Sequence, residues 1–246
     1  MDEEDSLSRI KIANIYCTEY SNSVRFRIPF AMMTRSQIAW NKVAVLALLR
    51  DGRPRNFQSI DNLRIQKLGF RSELKGQEEG NLPAFFKFFR YDLGPYSKDL
   101  ANQVRALEER DFIDTETRCL TWRGEYLLEY VEPEIRKFEV AQRAIETIRK
   151  TCEECRNIRA SSSLVNQTYE LEVPVAGMGN QIMRVRDIPM NTDIIVPASF
   201  VPLPMLSPET IADIEEEWEI PSSSLDPSTQ EFNDAVDSAY HRALAS

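Results

Sequence analysis

The chain has 246 residues, of which 42% are hydrophobic and 28% charged, with a formal net charge of −9. That is enough for one large domain or two modest ones with a real core, and it excludes a chain that is disordered as a whole. No run nears the roughly 18 to 20 apolar residues that span a bilayer, and the opening MDEEDSLSR lacks the basic-then-apolar order of a secretion signal. A cytoplasmic protein with no membrane partner is therefore expected.

The charge is two-ended. Residues 21–110 carry 16 Lys and Arg against 9 Asp and Glu, a balance of +7, whereas residues 201–246 carry 1 against 10, a balance of −9. A basic block can serve phosphates, and an acidic end can serve a basic partner. The first eight residues hold four acids and read as a frayed tail. Val24, Phe26 and Ile28 alternate with Arg25 and Arg27, which predicts a short half-buried strand. Thr34 and Gln37 fit a capping box ahead of the dense apolar run 38–49, so a buried helix is predicted over 34–50. The loop Asp51-Gly-Arg-Pro-Arg ends it, and Ser59 is the expected cap of a second helix through Leu63, Lys67, Phe70 and Leu74. A polar segment, 75–81, precedes the aromatic run at 85–89.

Next, Leu100, Ala101, Val104 and Leu107 predict an amphipathic helix starting near Ser97, with Lys98, Asn102, Arg105 and Glu109 on the opposite face. Residues 112–113 and 119–122 bracket a polar turn that suits a small hairpin or wing. A helix over 124–131 is expected to stop near Pro133. Phe138, Ala141, Ile145, Ile148, Cys152 and Cys155 step by three and four, a heptad-like seam able to pack within the chain or to close a homodimer. Residues 164–173, 182–188 and 194–201 read as short β-like runs. Ser207-Pro208-Glu209 starts an acidic helix with Ile211, Ile214 and Trp218 as its stripe. Ser228 and Glu231 start another, with Phe232, Val236, Tyr240 and Leu244 on one face.

No catalytic, cofactor or metal site emerges. The one histidine is His241, near the C-terminus, which removes Ser-His-Asp and HExxH arrangements placed elsewhere. Cys152 and Cys155 form a CxxC, but both lie on the apolar seam, where free cysteine acts as a small hydrophobe, and no second CxxC completes four ligands. Neither GxxxxGK[ST] nor GxGxxG occurs. Asp61, Glu73 and Lys75 only loosely match a metal-dependent nuclease, because they fall on a helix rather than a strand hairpin. For nucleic acid, the candidate contacts are Lys98, Asn102 and Arg105 on one helix face, Arg118 and Arg123 near the wing, and Arg50, Arg53 and Arg55 in a loop. Asp99, Glu108 and Glu109 share that helix and oppose phosphate.

The segment LRIQKLGF (63–70), the aromatic run, RYDLGPYSKDL (90–100) and LEERDFI (107–113) together resemble the Panacea domain, the SocA-like antitoxin-associated family of prokaryotes and phages with its YwgA-like relatives. The likeness covers about residues 36–130 and rests mostly on Gln66-Lys67-Leu68 and Gly94-Pro95-Tyr96-Ser97. It departs from that pattern at Asp111, where the family commonly has glycine, and in the polar segment 75–81. The resemblance implies a small helical domain that neutralises or delivers a partner protein, often a toxin, and sometimes accompanies DNA binding.

The expected fold is mainly α (α+β). It comprises a winged-helix-like domain over 9–160, a small β or irregular subregion over 161–204 and an acidic helical arm over 205–246. The expected function is that of a non-enzymatic interaction protein, antitoxin-like or a regulatory adaptor. It would meet a basic protein partner through Ile211, Ile214, Trp218, Phe232, Val236 and Tyr240. The alternative is a winged-helix DNA-binding regulator.

Overall fold

The computed structural model describes residues 35–55, 57, 59–197 and 205–219. The strand predicted over 24–28, the cap Thr34, the last helix and His241 lie outside the described residues. Within them the protein is mainly α, with seven helices and two small antiparallel sheets.

Helix α1 (Arg35–Asp51) is the hub: every residue from Ala39 to Leu49 is buried, because helices pack around it on several sides. Two polar contacts fasten it to the aromatic run. Trp40 donates its indole N–H to the Pro83 carbonyl at 2.8 Å, and the Asn41 side-chain oxygen accepts the Phe85 amide at 2.9 Å. Helix α2 (Asn62–Glu78) begins two residues later than a Ser59 cap predicts. Asp61 is its cap, accepting the Arg64 amide at 2.7 Å. The helix also continues through most of the polar segment, and the chain turns at Gly80, where φ is +69°.

Strands β1 (Phe88–Tyr91) and β2 (Gly94–Tyr96) form a hairpin with Phe89 opposite Tyr96 and Tyr91 opposite Gly94. Helix α3 (Lys98–Glu109) follows directly, capped by the Ser97 hydroxyl, and buries Leu100, Val104 and Leu107 as its period predicts. The polar turn after it is pinned by Asp114, whose carboxylate accepts the Thr117 amide and hydroxyl, both at 2.7 Å. The hairpin it closes is a single bridge between Ile113 and Leu120. Thr121 then caps helix α4 (Trp122–Ile135), so Trp122 is helical rather than part of a wing strand. Helix α4 also runs through Pro133. In the last turn a proline forfeits one hydrogen bond, and the residue that loses its partner, Glu129, faces solvent.

Helix α5 (Glu139–Cys155) carries the predicted seam, which turns inward onto α1 and α2. Ala141, Ile148, Cys152 and Cys155 are buried there, and Phe138 and Ile145 pack against the same core. The side chains proposed for a homodimer contact therefore cover the protein's own helices. The main departure from the sequence reading is helix α6 (Ser161–Tyr169), which occupies the first part of a stretch read as β-like. Beyond it, β3 (Glu172–Val175) pairs with β4 (Gln181–Arg184), and β5 (Asp193–Ile195) adds to β1, giving the sheet order β2-β1-β5. Helix α7 (Pro208–Glu219) starts where Ser207-Pro208-Glu209 predicts and packs on α1 and α4.

Candidate functional site

The residues behind the family resemblance form an internal clamp. Gln66 on α2 donates to the Ser97 carbonyl at 3.0 Å and accepts the Ser97 amide at 2.8 Å, while Lys67 donates to the Pro95 carbonyl at 2.8 Å. Gly94 closes the turn at φ +95°, a conformation that favours glycine. The clamp thus fixes the Gly-Pro turn and hands the chain to α3 at its Ser97 cap. Burial, helped by the neighbouring Arg90 guanidinium, lowers the Lys67 ammonium to about 7. Arg90 is itself buried and lies over the Tyr169 ring, 5.1 Å from its centre. A lysine so shifted can serve as a base or nucleophile. At 1% exposure, however, Lys67 meets no substrate, and its role here is to hold the turn.

The residues predicted to touch nucleic acid divide into two groups. Lys98, Asn102 and Arg105 share the solvent face of α3. Arg118 is paired with Glu108 at 3.0 Å. Arg123 is 2% exposed, stands 4.3 Å over the Phe112 ring, donates to the Arg110 carbonyl at 2.9 Å and pairs with Glu217. Its charge is engaged inside the fold, so it does not join the α3 face.

Helix α7 places the described half of the acidic arm on the protein itself. Ile214 is fully buried, and Ile211 and Trp218 pack against the core. The Trp218 indole stacks on Phe112 at 5.4 Å with the rings 15° apart, and the Lys42 ammonium lies 4.0 Å from the indole centre. Glu215 binds Arg35, and Asp213 accepts from the Tyr130 hydroxyl. Burial and that carboxylate push the Tyr130 phenol up to about 12. Ile211, Ile214 and Trp218, expected as anchors for a partner, therefore cover an aromatic and basic face of α1, α4 and the 110–112 turn. The other anchors, Phe232, Val236 and Tyr240, lie outside the described residues.

A further site was only partly legible. The 51–57 loop and the end of α5 enclose a cleft of about 640 Å³ lined by Arg50, Arg53, Arg55, Phe57, Arg156 and Asn157 together with Asp51, Pro54 and Glu153. The loop is shaped by Gly52, where a Cβ would fall 2.5 Å from the Leu48 carbonyl oxygen, and is tied to α5 by the Arg55 amide, which donates to the Arg156 carbonyl at 3.1 Å. Behind it, Arg64 donates to the carbonyls of Gly52 (2.7 Å), Cys155 (2.9 Å) and Ile158 (2.6 Å). The arginines of the loop stand out in the sequence. Arg156 and Asn157 do not, because nothing local indicates that a helix end a hundred residues away will meet that loop.

Cys152 and Cys155 are buried in the core, and burial raises both thiols, which suppresses the thiolate. Among the described residues, no group of three or more His, Cys, Asp and Glu is placed to hold a metal ion, and no helix is long and apolar enough to cross a membrane. Comparison with protein-family models, with curated proteins and with solved structures found no match.

Proposed function

We propose that this chain is a non-enzymatic interaction protein, antitoxin-like or a regulatory adaptor, which neutralises or delivers a basic protein partner in the cytoplasm through its acidic C-terminal end. The observation that carries this reading is the docking of α7. Its apolar stripe and three of its carboxylates face its own chain, so it anchors the acidic end at a fixed place on the body. Residues 220–246 then continue from that anchor with Asp226, Glu231, Asp234 and Asp237 against a single Arg242, and with Phe232, Val236 and Tyr240 as apolar groups. Charge of one sign flanking a few large apolar side chains suits a basic protein surface and speeds encounter with it.

The anchor and the partner-binding part are separable, which sets the test. Deleting 220–246 should abolish co-purification with the product of the neighbouring gene while leaving the thermal midpoint unchanged. Retained co-purification would sink the reading.

A second reading, a DNA-binding regulator, draws support from the joint exposure of Lys98, Asn102 and Arg105 on α3. It expects a gel shift that weakens steeply with salt and disappears when the three are changed to alanine. No shift with host DNA at low salt would remove it.

A further inference from the structure

We propose that the arginine-lined cleft between the 51–57 loop and the end of α5 binds a nucleoside polyphosphate. In this arrangement Arg53, Arg55 and Arg156 hold the phosphates, and Phe57 lies against the base.

The charge balance points to an anion. The cleft brings four guanidinium groups against two carboxylates, a local excess of +2 in a chain whose net charge is −9. Only Arg50 is matched within the cleft, by Asp51 at 3.2 Å. Arg53, Arg55 and Arg156 form no ion pair among the described residues, and the one contact of the Arg53 guanidinium is a weak 3.6 Å donation to the Cys119 sulfur. Like charges gathered without carboxylates repel one another, so this grouping has an electrostatic cost that a bound polyanion removes.

A plainer role for these arginines would be to neutralise the two helix C-termini that end here, since cations favour that position. That role is already filled from behind. Arg64, buried at 1% exposure, donates to the carbonyls of Gly52, Cys155 and Ile158, while Arg55 and Arg156 are exposed and Arg53 is half-buried beside Cys119.

Chemistry selects the ligand class. A guanidinium presents paired donors that match phosphate oxygens, and three of them exceed what one carboxylate can satisfy but suit the spread charge of a di- or triphosphate. The volume, about 640 Å³, lies within the usual range for small-ligand sites of roughly 300 to 1,000 Å³. Phe57, 49% exposed, supplies an apolar ring at a rim that is otherwise polar, where a base can stack. The cleft shares no residue with α7 or with the α3 face, so this inference and the proposed function stand or fall separately.

The test is calorimetric titration of the full chain at low salt with ATP, pyrophosphate, adenosine and a short oligothymidine. ATP and pyrophosphate should bind, ATP more tightly, and adenosine should not. The double variant Arg53→Gln/Arg156→Gln should weaken ATP by about tenfold or more, in line with the loss of two charge-assisted contacts. Phe57→Ala should weaken ATP but leave pyrophosphate unchanged, and Arg105→Gln, on α3, should alter neither. Phe57, Arg105 and Arg156 are exposed and Arg53 is half-buried, and an unchanged thermal midpoint confirms that each variant is folded. Three results would each overturn the proposal. They are no binding of ATP or pyrophosphate, ATP binding that the double variant leaves intact, and oligothymidine binding without nucleotide binding.

Discussion

Single side chains of α2 set how the Gly-Pro turn and the start of α3 are built. Gln66 accepts the Ser97 amide and shares the Ser97 carbonyl with the Ala101 amide, so Gln66→Ala leaves the buried Ser97 amide without its partner and should cost about 1–3 kcal/mol, read from urea unfolding. Two neighbours give opposite pH dependences. Burial holds the Glu73 carboxyl well above its ordinary 4.5, against the opposing influence of the Phe86 and Ala84 amides. As pH rises past 4.5 the unfolded chain releases a proton that the folded chain keeps, and stability falls. Lys67 works the other way. Between about 7 and its ordinary 10.5 the unfolded chain holds a proton that the folded chain has released, so stability rises with pH across that window. Urea midpoints should fall as pH rises from about 5 to about 7, and the fall should lessen or reverse above about 7, where Lys67 acts against it. Glu73→Gln should remove the fall below about pH 7, and Lys67→Met the opposing contribution above it. A flat profile in the parent protein would contradict both burials.

Among the elements, α7 contributes more to stability than an acidic arm would. Trp218→Ala removes the ring stacked on Phe112 and the cation contact from Lys42, and should cost about 3 kcal/mol, measured by thermal unfolding. The sequence shows which helices have one apolar face, and α3, α5 and α7 stand where their periods put them because that signal is local. It misleads at α6, where Val165, Thr168 and Tyr169 favour strands in isolation, yet Leu164, Val165 and Thr168 share a buried helical face. The start of α2 moved from Ser59 to Asp61 because either residue can cap and only the packing of the helix decides between them. The stripe of α7 was legible as apolar, but not its destination. Ile214 and Trp218 read equally well as anchors for another protein or for the chain's own α1.

For the molecule as a whole, distant segments are joined by few side chains, and Arg64 is the clearest of them. It links the end of α1 to the end of α5 through three carbonyls. Arg64→Met would remove the donor to the Gly52 and Ile158 carbonyls and leave the Cys155 carbonyl with the Ile158 amide, and should lower stability by about 2–3 kcal/mol, with the 51–57 loop losing amide-exchange protection first. The cleft stands on the same junction, which is why its full lining could not be read along the chain. The +7 and −9 blocks were visible in the sequence, and α7 brings part of the second onto the first: Glu215 meets Arg35, and Trp218 meets Lys42 and Arg110.

The pairing of Phe112 with Trp218 also constrains how the protein is made. Residue 218 leaves the ribosome 106 positions after residue 112. At about 5–20 residues per second, the face of α1, α4 and the 110–112 turn therefore waits roughly 5 to 20 s without its cover during synthesis. For that interval the nascent chain presents an aromatic ring framed by Lys42, Arg110 and Arg123, a surface that an acidic chaperone could shield until α7 arrives.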